Sequence, residues 1–180
     1  KGTPGKGAGV FTAKNNAQVL VINAMGRIYM DAMDDPFAAI DEELALCPLG
    51  EVCDAAIIDF HAEATSEKQA IGHYFDGRVS CVFGTHTHVP TADHQILGGG
   101  SAYMSDVGMC GDYDSIIGME KSEPISRFVR KISTARFTPA LGAATISGLA
   151  VEINDKTGLA EKISAIRIGA RLEPALPDFW

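Results

Sequence analysis

Three short apolar runs rich in β-branched residues constrain the chain most. They are Gln18-Val19-Leu20-Val21-Ile22-Asn23, Ala55-Ala56-Ile57-Ile58-Asp59-Phe60-His61 and Val79 to Phe83. Each is too short for a buried helix and too continuously apolar for a strand with one wet face, so each reads as a strand covered on both sides. Between the first two lies Asp34-Asp35-Pro36-Phe37, where an Asp cap and a Pro in the first turn open a helix with Phe37, Ile40 and Leu44 on one face. Between the second and third, Thr65 or Ser66 caps a helix that runs through Ile71, Tyr74 and Phe75 and stops at Gly77. Strands and helices alternating in this way predict an α/β fold with parallel strands and helices packed on the sheet.

After Gly98-Gly99-Gly100 the pattern changes. Ala102 to Val107 reads as a strand and Pro124 to Ile132 as an amphipathic helix. Thr145 to Ile153 and Ile163 to Ile168 flank the turn cluster Asn154-Asp155-Lys156-Thr157-Gly158, which predicts an antiparallel hairpin. The stretch Gly2 to Gly9 lacks the spacing of a phosphate-binding loop and reads as a surface loop. With 180 residues and no linker or repeat, residues 1–180 read as one domain.

Composition narrows the partners. A chain that is 46% hydrophobic and 21% charged is globular, and no apolar run approaches the roughly 18 residues of a membrane span. Fifteen Lys+Arg against 23 Asp+Glu give a net charge of −8, which argues against duplex nucleic acid. A small phosphorylated substrate remains compatible, because a bound metal reverses the local field. Cys47, Cys53, Cys81 and Cys110 form no C-x-x-C pair and are too sparse for a disulfide scaffold, which points to reduced thiols and a cytoplasmic protein. Cys81, inside a buried strand, reads as packing.

Candidate chemistry gathers at two strand ends. In open α/β sheets, ligands collect at the carboxyl ends of the strands. One strand ends in Asp59-Phe60-His61, and the next runs into Gly84-Thr85-His86-Thr87-His88. In extended chain, residues two apart project to the same side, and Gly84 gives the backbone freedom to turn there. If the strands are neighbours, His61, His86 and His88 share one crevice and suit a borderline metal such as Zn, Mn or Fe. A lone strand-end His is more often a hydrogen-bonded structural residue, and the case rests on all three falling at one edge. Asp59 or Asp106 could orient a ligand imidazole through its second nitrogen. Glu63, Ser66 and Glu67 adjoin the site, with helix capping the preferred role for Ser66 and Glu67. His73 and His94 have no matching partner.

The segments Asp59-Phe60-His61-Ala62-Glu63-Ala64-Thr65-Ser66-Glu67-Lys68, Gly84-Thr85-His86-Thr87-His88-Val89 and Ser105-Asp106-Val107-Gly108-Met109 resemble the YmdB-type branch of the calcineurin-like metallophosphoesterases. The opening G-T-P-G-K-G and Asp34-Asp35-Pro36-Phe37 fit the same branch, so the resemblance covers nearly the whole chain. It implies an αββα sandwich, here its C-terminal part, and a phosphodiesterase that acts on substrates such as cyclic nucleotides with two divalent transition-metal ions, Fe, Mn or Zn. By the same resemblance His61 and His86 bind one ion and His88 the other, with Thr85 standing where many relatives have His. The family's N-terminal aspartate, its bridging Glu-Asn pair and the G-N-H motif that supplies the general acid do not occur in this chain. A preceding segment on the order of 100 residues is therefore expected to hold them, leaving no catalytic general acid within this chain and little activity in it alone. A homo-oligomer is also implied, and the apolar Leu176-Pro177-Asp178-Phe179-Trp180 is an odd tail to leave in water. The competing reading is a non-catalytic metal-binding or oligomeric assembly domain.

Overall fold

The computed structural model describes residues 4–31 and 33–180, and Gly2 and Thr3 of the expected surface loop lie outside them. In chain order the elements are β1 (Ala8–Thr12), β2 (Gln18–Met25), α1 (Pro36–Leu46), β3 (Ala55–His61), α2 (Thr65–Tyr74), β4 (Cys81–Thr85), β5 (Gln95–Ile96), β6 (Ala102–Met104), α3 (Ser122–Arg130), β7 (Thr145–Ile153) and β8 (Ala160–Gly169). Six strands form one sheet in the order β1-β2-β3-β4-β6-β5, and β7 pairs with β8. β2, β3, β4 and β6 run parallel, while β1 and β5 close the edges antiparallel. The expected α/β order of parallel strands followed by an antiparallel hairpin is what the chain adopts.

The helices start where local chemistry directs. Asp35 accepts a hydrogen bond from the Phe37 amide at 3.0 Å, Pro36 occupies the first turn, and Ile40 and Leu44 are buried. The expected cap of α2 is corrected: its N-cap is Ala64, without a side-chain hydrogen bond. Thr65 and Ser66 fall inside the first turn, one step too late for their hydroxyls to act as the cap.

Burial on both faces is also corrected. Along β3, Ala56, Ile58 and Phe60 are fully buried, whereas Ile57, Asp59 and His61 are half-buried. The even-numbered face joins Leu20, Ile22 and Val82 to Ile40 and Leu44 of α1 and Ile71 of α2 in one core. Burying each such side chain stabilises the fold by about 1.5–3 kcal/mol. On the other face a cavity of about 340 Å³ lies between Ile57, Cys81 and Phe83 of the sheet and Leu149, Val151 and Ile153 of β7. Toward the carboxyl ends of the strands that same face carries Asp59 and His61.

The start of the chain differs from expectation as well. Ala8 and Gly9, read as loop, belong to β1, which pairs with β2 from Ala8↔Ile22 to Thr12↔Gln18. Pairing with a neighbouring strand overrides the weak local propensity of a Gly-containing segment. β6 is shorter than the predicted Ala102 to Val107, because from Ser105 the chain bends toward the site. Among the described residues, no helix is long and apolar enough to cross a membrane.

Candidate functional site

Parallel register places the polar residues of three strands level with one another. Asn23 pairs with Asp59, Asp59 with Phe83, Met25 with His61, and His61 with Thr85. Because side chains alternate across a strand, Asn23, Asp59, His61 and Thr85 share one face at the carboxyl end of the sheet. Asn23 Nδ2 donates to Asp59 Oδ2 at 2.9 Å, and Thr85 Oγ1 donates to Asp59 Oδ1 at 2.9 Å. His61 Nδ1 lies 3.0 Å from the same Thr85 oxygen. On the other side of its ring, His61 Nε2 faces His86 Nδ1 at 3.1 Å, with the rings edge to face and their centroids 4.9 Å apart. His86 Nε2 in turn lies 3.0 Å from Glu63 Oε2.

Beyond Thr85 the chain is no longer extended. His86 has φ 118° and His88 φ 65°, so the expectation that residues two apart project to one side does not apply to them. Backbone strain of this kind costs on the order of 1–3 kcal/mol per residue and persists only where the surroundings enforce it. Here the intervening Thr87 amide donates to Asp106 Oδ2 at 2.9 Å, and the Val107 amide donates to the Gly84 carbonyl at 3.0 Å. Gly84 serves a different purpose from the one expected: a Cβ there would lie 1.8 Å from the Ser105 carbonyl oxygen. Its role is close backbone approach rather than turning. The His88 ring is held by Ile117, whose carbonyl oxygen lies 2.8 Å from Nδ1.

Asp106, considered as an orienting partner for a histidine, is instead the anchor of this loop. It accepts from Lys68 Nζ and the Thr87 amide through Oδ2, and from the Gly108 amide through Oδ1, each at 2.9 Å. Both Lys68 and Asp106 side chains are only 1% exposed. Removing one partner of such a buried pair leaves an uncompensated charge, at a cost of about 3–5 kcal/mol. Glu67 is likewise more than a favourable charge in a first turn. Its carboxylate accepts from the Arg27 amide at 2.9 Å and the Ile28 amide at 3.3 Å, fixing the turn that leaves β2. Gly26 is required beneath it, since a Cβ would come within 2.4 Å of Glu67 Oε2. Asn23 and Lys68 have no role assigned from the sequence, and Thr85 stands there only as a departure from the family motif. Their sequence signal is a polar residue at a buried strand end for Asn23 and Thr85 and, for Lys68, a place beside Ile71 on the covered face of α2.

The donor set suits a transition-metal ion. Burial, and next the charge on neighbouring His86, push the His61 pKa below its usual value against the opposing influence of Asp59, which favours the neutral, ligating imidazole. Two nitrogens bound at about 2.0–2.1 Å to one ion lie about 2.8–3.4 Å apart for coordination angles from a right angle to tetrahedral. The His61–His86 separation of 3.1 Å falls in that range. Among the described residues, no group of three or more His, Cys, Asp or Glu side chains is placed to hold a metal ion. The structure therefore brings His61 and His86 together, and does not bring His88 into such a group with them.

The fold and site define an α/β domain with a histidine-bearing edge at the carboxyl ends of its parallel strands. The chain belongs to the YmdB-like protein family, whose model matches residues 1–166. It is 48% identical over 168 residues to a Bacillus subtilis protein named 2′,3′-cyclic-nucleotide 2′-phosphodiesterase, a match covering 93% of this chain and 62% of that protein. A crystal structure of a hypothetical protein from Thermus thermophilus superposes with TM-score 0.82 at 43% identity, covering 93% of this chain and 64% of that one. A crystal structure of a phosphatase from Mycoplasma pneumoniae superposes with TM-score 0.79 at 38% identity, covering 92% of this chain and 58% of that one. The chain thus spans less than two thirds of the length of these relatives.

Proposed function

We propose that this chain forms part of a metal-dependent phosphodiesterase acting on small phosphodiesters such as 2′,3′-cyclic nucleotides. The observation that carries the reading is the His61–His86 pair, with ring nitrogens facing each other at 3.1 Å at the strand edge where α/β folds bind ligands. The name of the Bacillus subtilis relative supports the substrate class. In this reading His61 and His86 hold one divalent ion, Fe, Mn or Zn, and His88 contributes to a second. When bound, such ions supply Lewis-acid polarisation of the phosphate and offset the charge that develops on it. The chain's own residues present the imidazoles, fix their direction through Thr85 and Glu63, and hold the strained loop through Asp106. Three imidazoles carry no negative charge to balance two dications, and in this reading the family resemblance puts the carboxylate ligands and the general acid in residues outside this chain, which leaves the chain alone with little activity.

The test is hydrolysis of bis(p-nitrophenyl) phosphate and a 2′,3′-cyclic nucleotide with added Mn²⁺ or Fe²⁺. It compares this chain, a longer form carrying its upstream sequence, and that longer form with His86→Ala. Activity in the longer form that His86→Ala removes is expected. Hydrolysis indifferent to His86→Ala overturns the reading. Homo-oligomer formation is part of the proposal, favoured by Phe128, Leu141 and Trp180 at 82%, 94% and 73% exposure, and sedimentation velocity checks it.

A further inference from the structure

Each of the three histidines spends one ring nitrogen on a partner outside the proposed ion site, and the chemistry of those partners dictates where the proton sits. We infer that Thr85, backed by Asp59, and Glu63 are positioning residues that lock His61 and His86 into opposite tautomers, so that each turns a lone pair toward the other and toward a shared cation. The inference rests on the metal reading above and deepens it.

The argument is a count of donors. A threonine hydroxyl has one proton to give and lone pairs to receive. The Thr85 proton goes to Asp59 Oδ1 at 2.9 Å, an ionised acceptor that outcompetes a neutral one. Asp59 is itself held by Asn23 through its other oxygen at 2.9 Å. The short contact between Thr85 Oγ1 and His61 Nδ1, 3.0 Å, is then a hydrogen bond only if Nδ1 carries the proton. His61 Nε2 is left with its lone pair. For His86 the partner is a carboxylate, which only accepts, so the 3.0 Å approach to Glu63 places a proton on Nε2 and, in a singly protonated ring, leaves the lone pair on Nδ1. Those two lone-pair atoms, His61 Nε2 and His86 Nδ1, are the ones that face each other at 3.1 Å. Two facing lone pairs at this distance repel unless a proton or a metal cation lies between them, and a bound cation takes the place that a proton otherwise fills.

His88 follows the same pattern. A backbone carbonyl is only an acceptor, so the contact of 2.8 Å from His88 Nδ1 to Ile117 places a proton on Nδ1 and frees Nε2. Metal-bound histidines usually donate their other N–H to a carboxylate, carbonyl or similar group, and losing that partner typically lowers metal affinity about 10–100-fold. The relay through a threonine hydroxyl is the particular feature here, because it makes Thr85 the residue on which the direction of His61 depends.

The experiment is long-range ¹⁵N–¹H correlation of the histidine rings at pH 8, without and with Zn²⁺, in the longer form carrying its upstream sequence, for the unaltered protein and for Thr85→Val, Thr85→Ser and Glu63→Ala. The dispersion of the amide spectrum verifies that each variant is folded. Expected are an Nδ1–H tautomer for His61 and an Nε2–H tautomer for His86 before metal addition, and Zn²⁺-dependent shifts of the two facing nitrogens. Thr85→Val, which keeps the shape and loses the hydroxyl, should mix the His61 tautomers and weaken Zn²⁺ binding about 10–100-fold, and Thr85→Ser should restore both. Glu63→Ala should mix the His86 tautomers. If Thr85→Val leaves tautomer and Zn²⁺ affinity unchanged, the positioning role is overturned while the metal reading stands. If the unaltered rings show these tautomers yet ignore Zn²⁺, the metal reading falls, and with it the purpose assigned to the relay.

Discussion

Two carboxylates, Asp106 beside the histidine loop and Glu123 on α3, do the same local chemistry with very different reach. Asp106 accepts from Lys68 and Thr87, which lie 38 and 19 residues away in the chain, and so ties α2 to the loop after β4 and the segment after β6. Glu123 accepts from Arg127 at 2.8 Å and from Thr134 at 2.9 Å, neighbours four and eleven residues along, and its second oxygen also receives the Thr134 hydroxyl. The first network sits against the sheet. The second closes a surface loop around a helix whose Phe128 and Val129 are 82% and 76% exposed. Burying a charged group among distant elements makes its partners depend on the whole fold, whereas local ties leave a region that can open by itself.

The largest effect expected from this difference is on Lys68→Met, which strands the Asp106 carboxylate in the core. A loss of about 3–5 kcal/mol in unfolding free energy, read by chemical denaturation, is expected. A loss within experimental error would remove the distinction between the two networks. Gly84→Ala comes next. Its Cβ would fall 1.8 Å from the Ser105 carbonyl oxygen, so β4 and the Ser105 to Gly108 segment must separate, at a cost of about 1–3 kcal/mol or more. The His61 and His86 ring signals should shift with it.

Glu123→Gln should leave the global transition nearly in place while the amides around Thr134 lose hydrogen-exchange protection. Combined with Lys68→Met, its effect should add within about 0.3–0.5 kcal/mol, because the two sites share no partner. The pH dependence sharpens the same point. Hydrogen bonds from Thr134 and Arg127 lower the Glu123 pKa to about 2. A depressed carboxylate stabilises the folded form above its ordinary range and loses that contribution as pH falls through the folded value. The Thr134 amide resonance should therefore hold steady at pH 4 and titrate near pH 2; a midpoint at the ordinary carboxylate value would dissolve the Glu123 network. The smallest effect is expected for Phe128→Ser in the unfolding of the dilute, monomeric chain, within about 0.5 kcal/mol of the original stability.

Much of the sheet was legible because β-branched runs bounded by capping residues leave little choice, as Val19 to Ile22 and Ile57 to Phe60 illustrate. His61 and His86 were legible because both lie at or just after strand ends. β1 was not, since Ala8-Gly9-Val10-Phe11-Thr12 has no strong period and becomes a strand only by pairing with β2. The directions of the His86 and His88 rings were not legible either. They depend on positive φ values and on Thr87 being held by a residue 19 positions away, and spacing carries no record of either. Thr85 looked like a departure from a motif, and its significance emerges only from the register that sets it beside His61.

That register has a consequence for how faithfully the chain assembles. Even-numbered residues of β3 enter the core and odd-numbered ones carry Asp59 and His61, so a slip of a single position would exchange the two sets. Ile58 and Phe60 would turn outward, and Asp59 would be driven among Ile40, Ile71 and Phe75 without Asn23 or Thr85 to receive it. An unpartnered carboxylate in such surroundings costs several kcal/mol. The residues that serve the site thus act as a checksum on strand pairing: a chain that has matched its strands wrongly is rejected by its own polar residues before any ligand arrives.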